Sequence, residues 1–544
     1  MKSPVEISAR PVGDASTIPE PAPARLSRPG SASGQSSQSF STQVATPPLV
    51  PNNPIDFVDG PATATEYPDV GKLASWRGAI IMLVTGGSQF LDNVFMTSAN
   101  IALPSIQKEF NVNSGNLQWM ISAYTLTFGG FLLLSGVLSD RYGRKNLLCI
   151  GLVWLSAWSI AIGFGNSFIE VAVFRGLQGM GAAMTVPSAI GIISSYFVGP
   201  DRTRALSIYG ASGAVGFCAG LIFGGFLSSS LGWKYIFRLV VIVTALLAVT
   251  GWFVLPKDRL EGTTRARLDY AGAALSTAGL ILLSFVLSSG GVYGWSKPFI
   301  IALLIVSCAI LVVFTLLEKY VKNPIMPLSL WKIRNFAGLW IAGFTVYGSY
   351  QTVIYYLVLM AQEVDELSAG ETAIRFLPMG AGGFIVSLIC GRAIEVVNGK
   401  FLLLMGMALS VLAPVPSCLT AQDLNFWTNV LPTSLISVTG VSIAYITAST
   451  TMLASVPVNV KSLCGGMINT AFQIGSGVAL AVSSAVTQSV DVNKGHPLAQ
   501  QYQTGLWCSA GLAGVGLLFS IVGIRRKGLN LSESNKEDPV ALPH

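Results

Sequence analysis

Fourteen long apolar segments follow one another from Gly78 almost to the end of this 544-residue sequence. An α-helix needs about 20 apolar residues to cross the hydrocarbon core of a bilayer. The segments are continuously apolar rather than alternating, so they predict helices and not the strands of a membrane barrel. The predicted spans are 79–103, 117–139, 147–165, 169–191, 203–228, 233–255, 270–289, 298–317, 336–360, 371–391, 400–420, 426–450, 462–488 and 503–524.

The composition agrees with a chain that lies mostly in lipid. Hydrophobic residues make up 51% of the sequence and charged residues only 11%. A soluble domain carries about 25% charged residues, which keep its surface hydrated. We therefore expect an all-α polytopic membrane protein.

The lysines and arginines beside the spans predict its orientation, because short cytoplasmic loops carry an excess of both. With both termini in the cytoplasm, the outer loops and their edges hold only Lys108, Lys234, Lys297 and Lys494. The reverse orientation would put most basic residues outside. The net charge of +7 is thus a topology signal and not a sign of nucleic-acid binding.

The order of the spans predicts five parts. Residues 1–75 are rich in Pro, Ser, Ala and Thr and predict a disordered cytoplasmic tail. Two halves of six helices are expected at 76–255 and 336–524, with two inserted helices within 256–335. Residues 525–544 form a second cytoplasmic tail.

Ionisable residues inside the spans are few, and such residues usually line a pathway or pair with one another. Asp92 is the only acid at the predicted mid-membrane depth, and Arg175 lies in the fourth span. Asp92 either carries protons or contacts substrate, or it holds a helix break or a structural ion pair. Arg175 either modulates a neighbouring carboxylate or pairs with a backbone carbonyl.

A charged loop joins the second and third spans. It reads GVLSDRYGRK and places an acid, two arginines and a lysine where lipid meets the cytoplasm. Such a group can pair with a neighbouring span in one state and release it in another. The alternative is a simple anchor that fixes topology. The residues are Gly136, Asp140, Arg141, Gly143, Arg144 and Lys145.

Three stretches together resemble the major facilitator superfamily. GVLSDRYGRK matches the loop signature of that family, and RGLQGMGAA, from Arg175 to Ala183, is similar to the fourth-span signature of its proton-coupled members. LDNVFMTSANIALPSIQ in the first span is similar to the fourteen-span drug:H+ antiporter branch, as found in fungal aminotriazole-resistance-type and toxin efflux transporters. The glycine-rich fifth span resembles the antiporter signature, although Leu221 stands where the signature has proline.

The resemblance implies a major facilitator fold that exports a drug, toxin or secondary metabolite in exchange for protons by alternating access. It implies proton coupling or substrate contact by Asp92, Arg175 and Gln178, and gating by the charged loop. Further polar and aromatic residues are candidates for the cavity: Asn100, Tyr124, Arg238, Arg375, Asn469 and Gln473. The alternative for Arg238 is that its side chain extends to the membrane interface. The alternative for Asn469 and Gln473 is that they form hydrogen bonds between helices.

The expected partners are a small molecule, protons and the lipid bilayer. We expect no enzyme activity, metal or cofactor, since the sequence has no nucleotide-binding loop and no hydrolytic constellation. The chain is expected to act as a monomer in the plasma membrane, with the vacuolar membrane as the alternative. Import, an inorganic or nutrient substrate, and a non-transporting sensor of the same fold remain open.

Overall fold

The computed structural model describes residues 71–112, 119–256, 269–321, 324–367, 369–419, 425–489 and 498–524. The predicted tails lie almost wholly outside these residues. The described residues form fourteen long helices. They are α1 Trp76–Phe110, α2 Trp119–Tyr142, α3 Arg144–Phe164, α4 Phe168–Tyr196, α5 Gly199–Ser230, α6 Lys234–Val254, α7 Tyr270–Tyr293, α8 Pro298–Tyr320, α9 Phe336–Leu359, α10 Ala369–Val396, α11 Gly399–Leu412, α12 Leu431–Ala454, α13 Lys461–Ser489 and α14 Leu498–Gly523.

Thirteen spans of the described residues are long and apolar enough to cross a membrane, and α9 is the helix that falls short. α9 has 24 residues and no charged side chain, but its tyrosines, glycines and hydroxyl side chains lower its hydropathy. It packs against α13 and α14, and most of its hydroxyl side chains are buried or half-buried, with Tyr355 as the exposed exception. The all-α polytopic fold predicted from the sequence is confirmed.

The helices pack in two groups. In the first, α1 lies against α5, α2 against α4, and α3 against α4 and α6; in the second, α9 lies against α13 and α14, and α12 against α10 and α11. The two groups meet where α5 packs on α10 and where α13 packs on α2 and α4. α8 packs on α7, which also lies against α2 and α13. The exact domain boundaries stay a prediction.

Glycines allow the close approach of α1 and α5. A β-carbon at Gly216 would lie 2.3 Å from the carbonyl oxygen of Phe90, and one at Gly224 would lie 2.8 Å from the α-carbon of Ser98. Neither distance is possible for a larger residue, so the backbones touch along this seam. The glycine-rich face of the fifth span is the surface that meets α1.

Glu318, near the end of α8, is a buried acid that the sequence analysis did not single out. It is 3% exposed and accepts hydrogen bonds from the backbone nitrogens of Ile325 and Met326, both at 3.2 Å. The carboxylate therefore fixes the chain as it leaves α8 toward the second helix group.

Candidate functional site

Asp92 lies inside the first helix group, on α1, and is only 4% exposed. The hydroxyl of Tyr124, on α2, donates a hydrogen bond to its carboxylate. Asp92 accepts this bond, which suits the ionised carboxylate. A charge at this depth is unfavourable in lipid unless protein groups compensate it.

Arg175, on α4, supplies the compensating charge without touching Asp92 directly. Its side chain is buried, and the centre of its guanidinium lies 4.4 Å from the centroid of the Tyr124 ring. A cation over an aromatic face is attracted by the electrons of the ring. Tyr124 thus contacts the acid through its hydroxyl and the base through its ring.

Polar contacts hold the guanidinium in this position. Arg175 donates from Nε to the carbonyl of Met120 at 3.1 Å and from Nη1 to Oε1 of Gln178 at 2.6 Å. Gln178 in turn donates to the hydroxyl of Ser159, on α3, at 2.6 Å. Arg175 and Gln178 are three residues apart and share one helix face.

We call Asp92, Tyr124, Arg175, Gln178 and Ser159 the buried polar cluster. It joins four helices of the first group through hydrogen bonds and one cation–π contact. If Asp92 gained a proton, Tyr124 and Arg175 would no longer compensate a negative charge. Sequence reasoning missed Ser159, because a serine in an apolar span usually bonds to its own helix.

Aromatic rings from the second helix group form a wall near this cluster. The ring centroids of Tyr347 and Phe472 are 5.1 Å apart, and those of Phe472 and Tyr445 are 5.0 Å apart. Tyr347 is close enough to Asp92 for the two side chains to interact electrostatically. The sequence analysis missed Tyr445 and Phe472; the one weak signal is that Tyr445 is the only aromatic residue of α12.

The charged stretch predicted as a loop, Gly136 to Lys145, forms the end of α2 and the start of α3 in the structure, and it binds the start of α13. Asp140 accepts hydrogen bonds from the backbone nitrogens of Leu463 at 2.7 Å and Ser462 at 3.2 Å. Arg144 forms an ion pair with Asp140 at 2.7 Å and donates to the Ser462 hydroxyl at 3.1 Å. The first nitrogens of a helix are unpaired and partly positive, so a carboxylate is a favourable cap. We call these contacts the latch.

Other residues of the loop shape the latch. A β-carbon at Gly136 would lie 2.9 Å from the α-carbon of Leu463, so only glycine allows this approach. Gly143 has a φ of 105°, which a residue with a side chain rarely adopts, and it makes the turn between α2 and α3. Lys145 donates to the carbonyl of Leu255 at 3.0 Å and caps α6. Arg141 lies partly exposed beside the turn.

Two further contacts join the helix groups at the same end of the bundle, which we call the latch end. Lys461, at the start of α13, donates to the carbonyl of Ser194 on α4 at 2.7 Å. Arg204 on α5 pairs with Glu395 on α10 at 2.9 Å. Both groups are thus held together at the latch end.

The remaining sequence candidates lie apart from the buried polar cluster. Asn100 is an exposed residue of α1. Arg238 donates to the carbonyl of Gly163 at 2.7 Å, which places it at the end of α3. Arg375 lies 3.8 Å from Asp365 near the start of α10.

Two amide candidates lie on α13 beside the aromatic wall. The amide of Asn469 bonds to the carbonyl of Gly465 in its own helix at 2.8 Å. Gln473 is half-buried beside α2. A β-carbon at Gly129 of α2 would lie 3.7 Å from the β-carbon of Gln473. Gln473 follows Phe472 directly, so these amides border the wall. Among the described residues no group of three or more His, Cys, Asp or Glu side chains is placed to hold a metal ion.

Comparisons with known proteins agree over most of the chain. The family profile described as Major Facilitator Superfamily matches residues 85–480. The puromycin resistance protein pur8 of Streptomyces alboniger is 30% identical over 443 residues, which cover 80% of this chain and 85% of that protein. The low affinity ammonium transporter of Saccharomyces cerevisiae is 27% identical, covering 82% of this chain and 88% of that one.

Two other similarities extend the comparison. The aminotriazole resistance protein of Saccharomyces cerevisiae is 25% identical over 84% of this chain and 85% of its own length. The crystal structure of the human organic anion transporter MFSD10 superimposes with a TM-score of 0.61 at 15% identity, covering 81% of this chain and 99% of that chain. The predicted resemblance to aminotriazole-resistance-type transporters is confirmed.

Proposed function

This chain belongs to the Major Facilitator Superfamily, and we propose that it is a proton-coupled transporter that exports a small organic molecule by alternating access. The family and the fold make it a multi-pass membrane transporter of small molecules. The proton coupling, the direction and the organic substrate are what we add. The buried polar cluster is the observation that carries the proposal.

Asp92 is the proton carrier in this mechanism. As a carboxylate it accepts from Tyr124, and Arg175 lies over the same ring. Binding of a proton removes the negative charge of Asp92. The Tyr124 hydroxyl then loses its anionic acceptor, and the positive charge of Arg175 loses its counter-charge. A transporter uses such a change when the two protonation states favour different conformations.

The latch supplies the conformational side of the mechanism. With both termini in the cytoplasm, the latch end faces the cytoplasm, and Asp140 capping α13 closes the transporter on that side. Breaking the contacts of Asp140 and Arg144 then lets the helix groups separate and admit substrate from the cell. The two predicted six-helix halves are the rocking bodies, and one chain is sufficient for the cycle.

An organic substrate is favoured by the aromatic wall. Tyr347 and Tyr445 are half-buried and pack on the buried Phe472, so they offer apolar faces next to a polar cluster, and ligand sites are usually apolar surfaces with a few polar groups. Two of the related proteins are named for resistance to puromycin and aminotriazole. We place the protein in the plasma membrane, with the vacuolar membrane as the alternative.

Transport of a small inorganic cation is the second candidate. It is favoured by the similarity to a low affinity ammonium transporter, which covers 82% of this chain. Aromatic faces near a carboxylate also attract cations. This candidate shares the fold and the latch and differs in cargo and direction.

Flux into sealed inside-out vesicles distinguishes these functions. Vesicles that contain the protein are given an inwardly acidic pH gradient and then puromycin, aminotriazole or ammonium. We expect an organic compound to accumulate, and accumulation to stop when the gradient is collapsed. Gradient-independent flux would contradict proton coupling, and transport of ammonium alone would favour the second candidate.

A further inference from the structure

Two buried polar atoms near the buried polar cluster find no hydrogen-bond partner among the described residues. They are the hydroxyl oxygen of Tyr209, on α5, and the side-chain oxygen of Gln89, on α1. Tyr209 is only 1% exposed, so water does not readily replace the missing partner. An unpaired buried polar group is unfavourable, and a ligand that supplies the partner removes that penalty.

These two side chains lie on neighbouring helices, α1 and α5, which pack against each other. Gly213 is one helical turn beyond Tyr209 on α5, and a β-carbon at Gly213 would lie 3.2 Å from the amide nitrogen of Gln89. The phenol of Tyr209 also interacts electrostatically with Asp92. Gln89 and Tyr209 therefore form a short polar edge beside the buried polar cluster.

The aromatic wall borders this edge from the second helix group. A β-carbon at Gly210, the neighbour of Tyr209, would lie 3.6 Å from the ring of Tyr445. Phe472 lies between Tyr445 and Tyr347, stacked at 29° on the latter. A polar edge on one group thus meets flat aromatic faces on the other.

We propose that the polar edge and the aromatic wall recognise a planar heteroaromatic molecule that carries a hydrogen-bond donor beside an acceptor. The ring stacks on the half-buried ring of Tyr445, which Phe472 supports from behind, while the donor pairs with the side-chain oxygen of Gln89 and the acceptor with the hydroxyl of Tyr209. The unpaired amide oxygen of Gln89 accepts and the phenol of Tyr209 can donate, so an amino group beside a ring nitrogen satisfies both. The inference rests on the proposed transport function and names its substrate class.

Binding to the purified protein in nanodiscs, with no gradient, tests this class. Two matched pairs differ only in the amino group: 3-amino-1,2,4-triazole against 1,2,4-triazole, and 2-aminopurine against purine. Cyclohexanecarboxamide has the polar edge without the flat ring. We expect each amino compound to bind roughly 3- to 10-fold more tightly than its parent, the range of one or two hydrogen bonds, and cyclohexanecarboxamide not to compete.

Three variants assign the two halves of the site. Tyr209→Phe keeps the ring but removes the donor to the ring nitrogen, so it should weaken each amino compound and its parent alike, by roughly 2- to 10-fold. Tyr445→Leu should weaken all planar compounds by roughly 2- to 10-fold, because aromatic stacking contributes about 0.5–1.5 kcal/mol. Tyr320→Phe is the matched control, since Tyr320 is 79% exposed at the end of α8. This variant should change neither the affinities nor the affinity ratio of each pair.

The outcome is decisive in either direction. Equal binding of amino and parent compounds, unchanged affinities in Tyr209→Phe, competition by cyclohexanecarboxamide, or no saturable binding of either amino compound overturns the proposal. Because these measurements use no pH gradient, selective binding together with gradient-independent flux would contradict only the proposed proton coupling. Gradient-driven flux without selective binding would contradict only the substrate class.

Discussion

The carboxylate of Asp140 accepts a 2.7 Å hydrogen bond from the backbone nitrogen of Leu463, a residue 323 positions later in the sequence. The bond joins the end of α2 to the start of α13 and so crosses between the two helix groups. It pairs a negative side chain with the partly positive first turn of a helix. The strength of this contact is expected to set how often the latch end opens.

Asp140→Asn should open the latch end more often. Asparagine keeps the size of the side chain but removes the charge, and a hydrogen bond to a charged group contributes about 1.5–3 kcal/mol. The open population should rise roughly 10- to 100-fold if most of this is lost. Distances between spin labels at exposed Tyr142 and Ser455, in a cysteine-free background, measure the change.

Glu170→Gln is the control for that experiment, because Glu170 caps α4 within the first helix group. It should leave the label distances as they are in the parent protein. Identical distance distributions in the Asp140 variant and the parent would show that the latch does not control opening.

Gly191→Ala should also disturb the latch, for a steric reason. A β-carbon at Gly191 would lie 1.9 Å from the hydroxyl oxygen of Ser462, so α4 and α13 must move apart or Ser462 must turn away from Arg144. We expect slower turnover with normal insertion in the membrane. Gly514→Ala, with no atom within 4 Å of the added carbon, is the matched control; equal turnover in both variants would refute the close approach.

Lys145 and Lys400 should contribute alike to stability. Lys145 caps α6 through the carbonyl of Leu255 at 3.0 Å, and Lys400 caps α14 through that of Ile524 at 2.6 Å. Each lysine begins the third helix of its group and reaches the last helix. Replacement of either by Met should lower the apparent Tm by several degrees, since about 1–3 kcal/mol is lost with a charged hydrogen bond.

The exposed Lys319 is the control, and Lys319→Met should leave the Tm within one or two degrees of the parent. A drop in only one of the two cap variants would mean that the equivalent lysines do not have equivalent roles. Thermal unfolding in detergent followed by intrinsic fluorescence gives the comparison.

Glu109, beyond the membrane-spanning part of α1, predicts a dependence on acid pH. Its partial burial raises its pKa, but hydrogen bonds from Lys234 and Trp233 outweigh this and hold the pKa below the ordinary 4.5. A lowered pKa in the folded state means that the stabilisation is present above pH 4.5 and is lost as the pH falls through the folded pKa. Glu109→Gln should therefore reduce the fall in Tm between pH 5 and pH 3, and an unchanged fall would exclude this carboxylate as the cause.

Much of the fold was predictable because hydropathy acts locally. Each span is a run of apolar side chains, and most helices begin and end within a few residues of the predicted bounds or continue past the membrane. α1, for example, extends to Phe110, with Asn111 in the left-handed region as its cap. α11 is the clearest exception, because it ends at Leu412 instead of residue 420 and is followed by Pro414 and Pro416. Hydropathy alone gave less support to α9, whose tyrosines and glycines are explained only by the helices around it.

The candidate site was less predictable because its contacts are between distant residues. Asp92 and Arg175 are conspicuous as charges in apolar spans, but nothing in the sequence indicates that Tyr124 lies between them. Arg238 is equally conspicuous, yet it caps α3 at Gly163. Charge in a span therefore identifies residues that need a partner, and only the packing shows which partner each one has.

The most direct test of the mechanism is transport by Asp92→Asn in proteoliposomes, measured both as gradient-driven accumulation and as exchange without a gradient. Asparagine still accepts a hydrogen bond from Tyr124 but cannot carry a proton. Glu366→Gln, a change at an exposed residue on the segment between α9 and α10, is the control. We predict that Asp92→Asn loses accumulation while it retains exchange and that the control retains both; accumulation by Asp92→Asn equal to that of the parent protein would contradict the role of Asp92 in proton coupling.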